Sequence, residues 1–172
     1  NLKKSNKWIL LDQNGQAKSK TVYKGLMPID EQFLSAWTFK GKQEVIDEFG
    51  NDVLGYSVED IYKYSNHTYK IRIDGKHQFL DLHNPSYISK RYDQIQCASE
   101  NRFGVQKDGL YGFINGTTFE EIVPVRADFI TCFKDGIASM KINNEWILID
   151  SLGQVYTKDR YKNTKLLDNG FA

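Results

Sequence analysis

An apolar pair followed by Asp or Asn recurs five times along this chain, and that recurrence restricts the fold more than any other feature. The triplets are Leu10-Leu11-Asp12, Val45-Ile46-Asp47, Phe79-Leu80-Asp81, Phe113-Ile114-Asn115 and Leu148-Ile149-Asp150, and they stand 35, 34, 34 and 35 residues apart. A fixed period of this size marks a repeat architecture, in which one supersecondary unit is copied and the copies complete each other's core.

Other positions keep the same register. A turn pair precedes each triplet: Ser5-Asn6, Lys40-Gly41, Asp74-Gly75, Asp108-Gly109 and Asn143-Asn144. Such pairs suit two-residue hairpin loops, whose central residues both need positive φ. Three residues after most Asp/Asn positions a loop residue follows (Gly15, Gly50, Asn84, Gly153), and the fourth copy has Thr118 beside Gly116. Here the Asx side chain caps its own turn and the glycine takes the left-handed position. Further on comes Tyr23-Lys24-Gly25-Leu26, with counterparts Val58 to Ile61, Tyr92-Asp93-Gln94-Ile95, Ala127 to Ile130 and Tyr161 to Thr164.

The unit therefore reads as a β-meander, and the fold class as all-β: five tandem copies of about 35 residues. Their approximate bounds within a single repeat domain are 7–41, 42–75, 76–109, 110–144, and 145–172 plus 1–6. Ten Tyr, ten Phe and three Trp favour strands over helices. The segment 29–39 can be patterned as a helix, but its register matches strand positions in the other copies. Neighbouring strand residues point to opposite faces, so a pair that is apolar twice over predicts a strand covered on both sides.

The ends are in phase. Gly170-Phe171-Ala172 matches Gly136-Ile137-Ala138, and Asn1 to Lys4 matches Ser139 to Ile142. A whole number of units with one strand divided between the ends is expected. A small propeller-like ring is favoured slightly over an open β-solenoid, the objection being that 35 residues is short for a four-stranded blade.

Composition narrows the function. The net charge of +1, from 23 basic and 22 acidic residues, argues against nucleic-acid binding by bulk electrostatics. No run of eighteen apolar residues occurs, so no membrane insertion is expected. Phosphate-loop glycines, a nucleophile elbow and a His-Glu-x-x-His pattern are all missing. Glu120-Glu121 and Asp47-Glu48 are sequence neighbours, which a strand would point in opposite directions. The repeated Asp/Asn positions raise calcium, but turn capping accounts for them. Among His67, His77 and His83, the last two lie across an expected hairpin, with nothing at zinc spacing to complete a set. Cys97 and Cys132 hold equivalent positions in neighbouring copies and read as small buried side chains. We therefore expect no enzyme, no cofactor and no metal.

Aromatic residues are the remainder. Trp8, Tyr111 and Trp146 start repeat strands and read as core anchors. Trp37, Tyr62, Tyr64 and Tyr69 fit the repeat less cleanly and form the candidate binding set, on the expectation that they are exposed. An exposed ring paired with Asp or Asn in a concave site would favour a sugar over a protein partner.

The pattern resembles the bacterial WG-repeat (KWG) family. The resemblance rests on Lys7-Trp8 with Leu11-Asp12, Tyr92-Asp93-Gln94-Ile95, Tyr111-Gly112-Phe113-Ile114, Gly136-Ile137-Ala138-Ser139-Met140, and Trp146 with Ile149-Asp150. Gln43 and His77 replace the tryptophan, and only Gly112 keeps the glycine after it. The resemblance implies a bacterial repeat module, often attached to other domains, with no catalytic residues to carry over. The expected function is a non-catalytic binding or scaffolding module for a protein partner within a larger bacterial protein. A carbohydrate-binding cell-surface module is the alternative.

Overall fold

The structure is a computed structural model that describes residues 7–65 and 67–164, with the backbone of 166–167 and 170–171. Among the described residues every regular element is a β-strand. β1 (Gly25–Pro28), β2 (Phe33–Trp37) and β3 (Gln43–Asp47) form one sheet. β4 (Asp60–Lys63), β5 (Tyr69–Ile73), β6 (Lys76–Asp81) and β7 (Asn84–Ile88) form a second. β8 (Gln94–Ser99), β9 (Arg102–Lys107), β10 (Leu110–Asn115) and β11 (Glu121–Ala127) form a third. β12 (Phe129–Ile130), β13 (Ile137–Ile142) and β14 (Glu145–Asp150) form a fourth, and β15 (Leu166–Leu167) pairs with β16 (Gly170–Phe171). All pairings are antiparallel and join strands consecutive in sequence. The segment 29–39 is a turn and a strand, as its register predicts.

The chain divides into two compact units, Asn1–Ile88 and Ser89–Ala172. In the first, Val45 and Ile46 are both essentially excluded from solvent. Val45 packs into a cluster with Tyr69, Ile71 and Leu80, whereas Ile46 packs into a separate one with Tyr23 and Ala36. Adjacent residues of β3 thus serve different cores on its two faces, which is why the repeat needs two apolar residues in a row. The pairs in β6, β10 and β14 are buried likewise. The second unit centres on Phe113, Val123, Ile130, Phe133, Met140 and Ile149, with the Phe113 and Phe133 rings edge to face at 4.8 Å.

The family-like residues have local causes. Trp8 and Tyr23 exchange two backbone hydrogen bonds of 2.8 Å, and Trp146 and Tyr161 do the same at 2.9 Å. The tryptophan that starts one strand and the tyrosine that ends the return are therefore cross-strand partners. Asp93 of the Tyr-Asp segment accepts the Asp108 amide at 2.7 Å and steadies the hairpin turn beside it.

Turn chemistry follows the residues available. Asp74-Gly75, Asp108-Gly109 and Asn143-Asn144 all have positive φ at both positions, as their two-residue hairpins require. Lys40-Gly41 departs from that expectation. Gly41 alone turns left-handed, because lysine gains nothing there to offset the steric cost. The loop between Trp37 and Gln43 widens instead, and Thr38 closes it by donating its amide to the Lys42 carbonyl at 2.8 Å. Ser5-Asn6, and the N-terminal half of the expected seam, lie outside the described residues.

The Asx turns are the most regular feature. Oδ1 of Asp12 accepts the amides of Asn14 and Gln16, both at 2.8 Å. Asp47 receives Phe49 and Asn51, and Asp150 receives Leu152 and Gln154, all within 2.8–2.9 Å. Asn115 does the same for Thr117 and Thr118. The fourth turn is one residue longer, since Asn115 donates to the Glu120 carbonyl where Asp12, Asp47 and Asp150 reach the fourth residue on. Its left-handed residue is consequently Phe119, at φ 57°, in place of the Thr118 expected from spacing.

This geometry carries a prediction. Asp150→Ala removes an acceptor from two amides and should lower stability by about 1–2 kcal/mol. Asp150→Asn should be close to neutral, because Asn115 already caps the equivalent turn. Urea unfolding of the two variants beside the parent chain checks both.

Candidate recognition surface

Each Asx turn holds its second following residue at an exposed tip. The five tip residues are Asn14, Phe49, His83, Thr117 and Leu152, and all are exposed. In each, the Asx side chain caps the amide of the tip residue itself, while the tip side chains are an amide, a phenyl ring, an imidazole, a hydroxyl and an isobutyl group. Phe49 is 58% and Leu152 67% exposed, far beyond what a core residue would be. Val155 and Tyr156, on the return from the last turn, are exposed to 58% and 59%.

The candidate aromatics fall in different environments. Trp37, half-buried at the end of β2, and Tyr62, exposed on β4, line one open recess of about 370 Å³ with Met27, Asp60 and Lys63. Tyr62 donates its hydroxyl to Asp60 Oδ2 at 2.7 Å, and Lys70 Nζ lies 5.3 Å from its ring centroid. The nearby carboxylate pushes the Tyr62 hydroxyl pKa upward. Tyr64 is exposed and packs edge to face on Phe79 at 5.7 Å. Tyr69 departs from the expected exposure. It is fully buried, because β5 turns it inward against Phe33 at 5.9 Å, edge to face. Trp8, Tyr111 and Trp146 are half-buried.

Tyr69 reaches a second, polar recess of about 680 Å³, lined by Asp30, Glu31, Gln32, Lys63, His67, Tyr69 and His83. Its hydroxyl donates to Asp30 Oδ2, which also receives Lys63 Nζ at 3.0 Å. Asp30 Oδ1 accepts the Gln32 and Phe33 amides at 2.9 and 3.0 Å. Burial opposes ionisation of Asp30, but Tyr69, the two amides and Lys63 outweigh it and hold its pKa down at about 2.

The histidines are arranged otherwise than their order in the chain suggests. His77 sits opposite Arg72 in the β5–β6 ladder, where burial and the neighbouring Lys70 and Arg72 charges lower its pKa. His83 meets His67 instead, ring to ring at 5.2 Å. Repeat register holds the signal for this. The loop before β5 and the Asx turn after β6 are neighbours, just as Asn101 and Thr117 are in the next copy, where their side chains bond at 3.0 Å.

Cys97 and Cys132 are free thiols, half-buried and hydrogen-bonded to each other. Burial raises the Cys97 pKa well above the usual thiol range, and Cys132 reinforces it. That is the opposite of a poised nucleophile. Among the described residues, no helix is long and apolar enough to cross a membrane.

A family model described as WG containing repeat matches residues 88–111 and 111–146. These two adjacent copies include Tyr92-Asp93, Tyr111-Gly112 and Gly136-Ile137-Ala138. No curated protein matches the chain significantly.

Proposed function

Because the chain carries repeats of the WG family, we propose that it is a non-catalytic binding module whose Asx-turn tips recognise a partner protein. The observation that carries this reading is an Asx cap recurring in all five copies, the same turn in three of them and a longer or shorter one in the other two, with five different exposed side chains at the tips. Repeat scaffolds recognise partners in this way, with rigid elements positioning variable loops. Phe49, with Leu152, would supply the apolar contact area, aromatic side chains being enriched in protein interfaces.

The test is a photo-cross-linking residue introduced at 49, at 152 and, as an exposed control, at 145, in the native host. Discrete adducts to one protein from the tips and none from 145 are expected. Equal labelling at 145, or none anywhere, would sink the reading.

A second reading has its own observation. Trp37 and Tyr62 line an open recess with Asp60, the combination of ring and carboxylate that suits a sugar. Binding on an oligosaccharide array that disappears in Tyr62→Ala would favour it. Asp60 is already bonded to Tyr62 and to the Ile61 amide, which weakens its claim as a sugar ligand.

A further inference from the structure

We propose that the third Asx turn is a binding site for a divalent transition-metal ion, with His67, Asp81 and His83 as protein ligands. This goes beyond the recognition reading and stands or falls separately from it.

The first ground is proximity. One ligand atom from each of the three residues lies within 4.8 Å of the others, and among the described residues this is the one such group of histidine, cysteine and acidic side chains. His83 Nδ1 and Asp81 Oδ1 are 3.1 Å apart. Two ligands on one tetrahedral ion, each bonded at about 2.05 Å, are separated by about 3.3 Å. His67, exposed on the neighbouring loop, already places a ring nitrogen within that distance.

The second ground is hydrogen-bond inventory. His83 Nε2 lies 2.6 Å from Gln32 Oε1, a contact that suits the tautomer with its proton on Nε2. A neutral ring then turns the Nδ1 lone pair towards a carboxylate oxygen. In that tautomer Nδ1 and Asp81 Oδ1, 3.1 Å apart, are both open to one ion. The Gln32 contact is also what a metal-binding imidazole uses to fix its tautomer and orientation.

The third ground is what this turn lacks. In the first, second and fifth copies Oδ1 accepts a second amide, from Gln16, Asn51 and Gln154. The turn here is shorter, with Asp81 paired to Asn84, and the fourth residue on is Pro85, which has no amide hydrogen. Asp81 Oδ1 keeps only the His83 amide, at 2.8 Å, and its remaining lone pair faces the imidazole.

Two imidazoles and one carboxylate select zinc, nickel, cobalt or copper over calcium or magnesium, which prefer oxygen donors throughout. Three protein ligands leave a fourth position for water or for a ligand from a partner.

The experiment is titration of the full chain with zinc against a chromophoric chelator, together with ¹⁵N spectra of the histidine rings. One zinc per chain is expected. His67→Gln, His83→Gln and Asp81→Asn should each weaken binding at least tenfold, the last while keeping its turn, as Asn115 does. His77→Gln should bind as the parent does. The Nδ1 resonance of His83 should move to a metal-bound position as zinc is added. Failure of the parent chain to bind zinc, binding unchanged in the His67 and His83 variants, or a His83 ring that stays doubly protonated in excess zinc would each overturn the proposal.

Discussion

Gly112→Ala should lower the stability of the second unit by about 3 kcal/mol, more than its single added methyl suggests. A Cβ at Gly112 would stand 2.5 Å from the Val123 carbonyl oxygen and 2.9 Å from both the Pro124 carbonyl carbon and the Val125 Cα. These are backbone atoms of β11, held by the bulged pairing of β10 with β11, and they cannot move aside alone. The smaller unfolded-state entropy of alanine offsets only about 0.4–1 kcal/mol. Gly104→Ala is the informative contrast. Its Cβ would meet Ile130 Cδ1 at 2.7 Å and Cys97 Sγ at 3.0 Å, both side-chain ends that can rotate. About 1–2 kcal/mol is expected there. Denaturant unfolding followed by far-UV circular dichroism separates the two, and equal losses would show that β11 yields as readily as a side chain. The glycine of the Tyr111-Gly112 pair thus has a stated cause: the next strand crosses too closely for any side chain.

In the first unit the largest effect belongs to Asp30. Its carboxylate has a folded pKa of about 2, below its ordinary value of 3.8. A depressed value means that the folded state holds the ionised form more tightly than the unfolded chain does. The associated stability, about 2 kcal/mol, is fully present above pH 4 and is lost as pH falls from about 4 to about 2. Asp30→Asn should remove a similar amount at neutral pH, because the Lys63 ion pair and the charge-assisted bond from the buried Tyr69 hydroxyl both go. The variant should also lose the part of the acid sensitivity that Asp30 supplies. Urea midpoints of parent and variant between pH 2 and pH 7 test this, and parallel curves would refute it. Tyr69→Phe provides the check on cause: it removes the same hydrogen bond while leaving the carboxylate on Lys63.

The repeat was legible in the sequence because its turns depend on chemistry that few residues supply. Asp or Asn must cap, and an apolar pair must follow two faces into two cores, so both recur at a visible period. Lys40-Gly41 misled because a turn pair was judged by its glycine, although both central residues have to tolerate positive φ. The extra residue in the fourth turn was hidden because Gly116 looked like a turn glycine. It is small for a different reason, since a Cβ there would lie 2.4 Å from Asn101 Oδ1 and 2.8 Å from the Phe103 ring. Tyr69 is buried against Phe33 of the neighbouring sheet, a contact that no local pattern around β5 announces. The cluster of His67 with His83 is legible only through repeat register, as the counterpart of Asn101 and Thr117. It is made by a loop and a turn that the sheet brings side by side, and sequence distance favoured His77 instead.

Sheet order has a kinetic consequence. Among the described residues every strand pairs only with the strand before or after it in the chain, so none of these sheets waits for a distant segment. Loops of a few residues close quickly and with little loss of entropy, and topologies rich in local pairing fold fast. During synthesis each meander can close soon after its last strand leaves the ribosome, before the following copy is complete. The strands inside each meander are thus paired early, which shortens the time in which their backbone groups are open to another nascent chain.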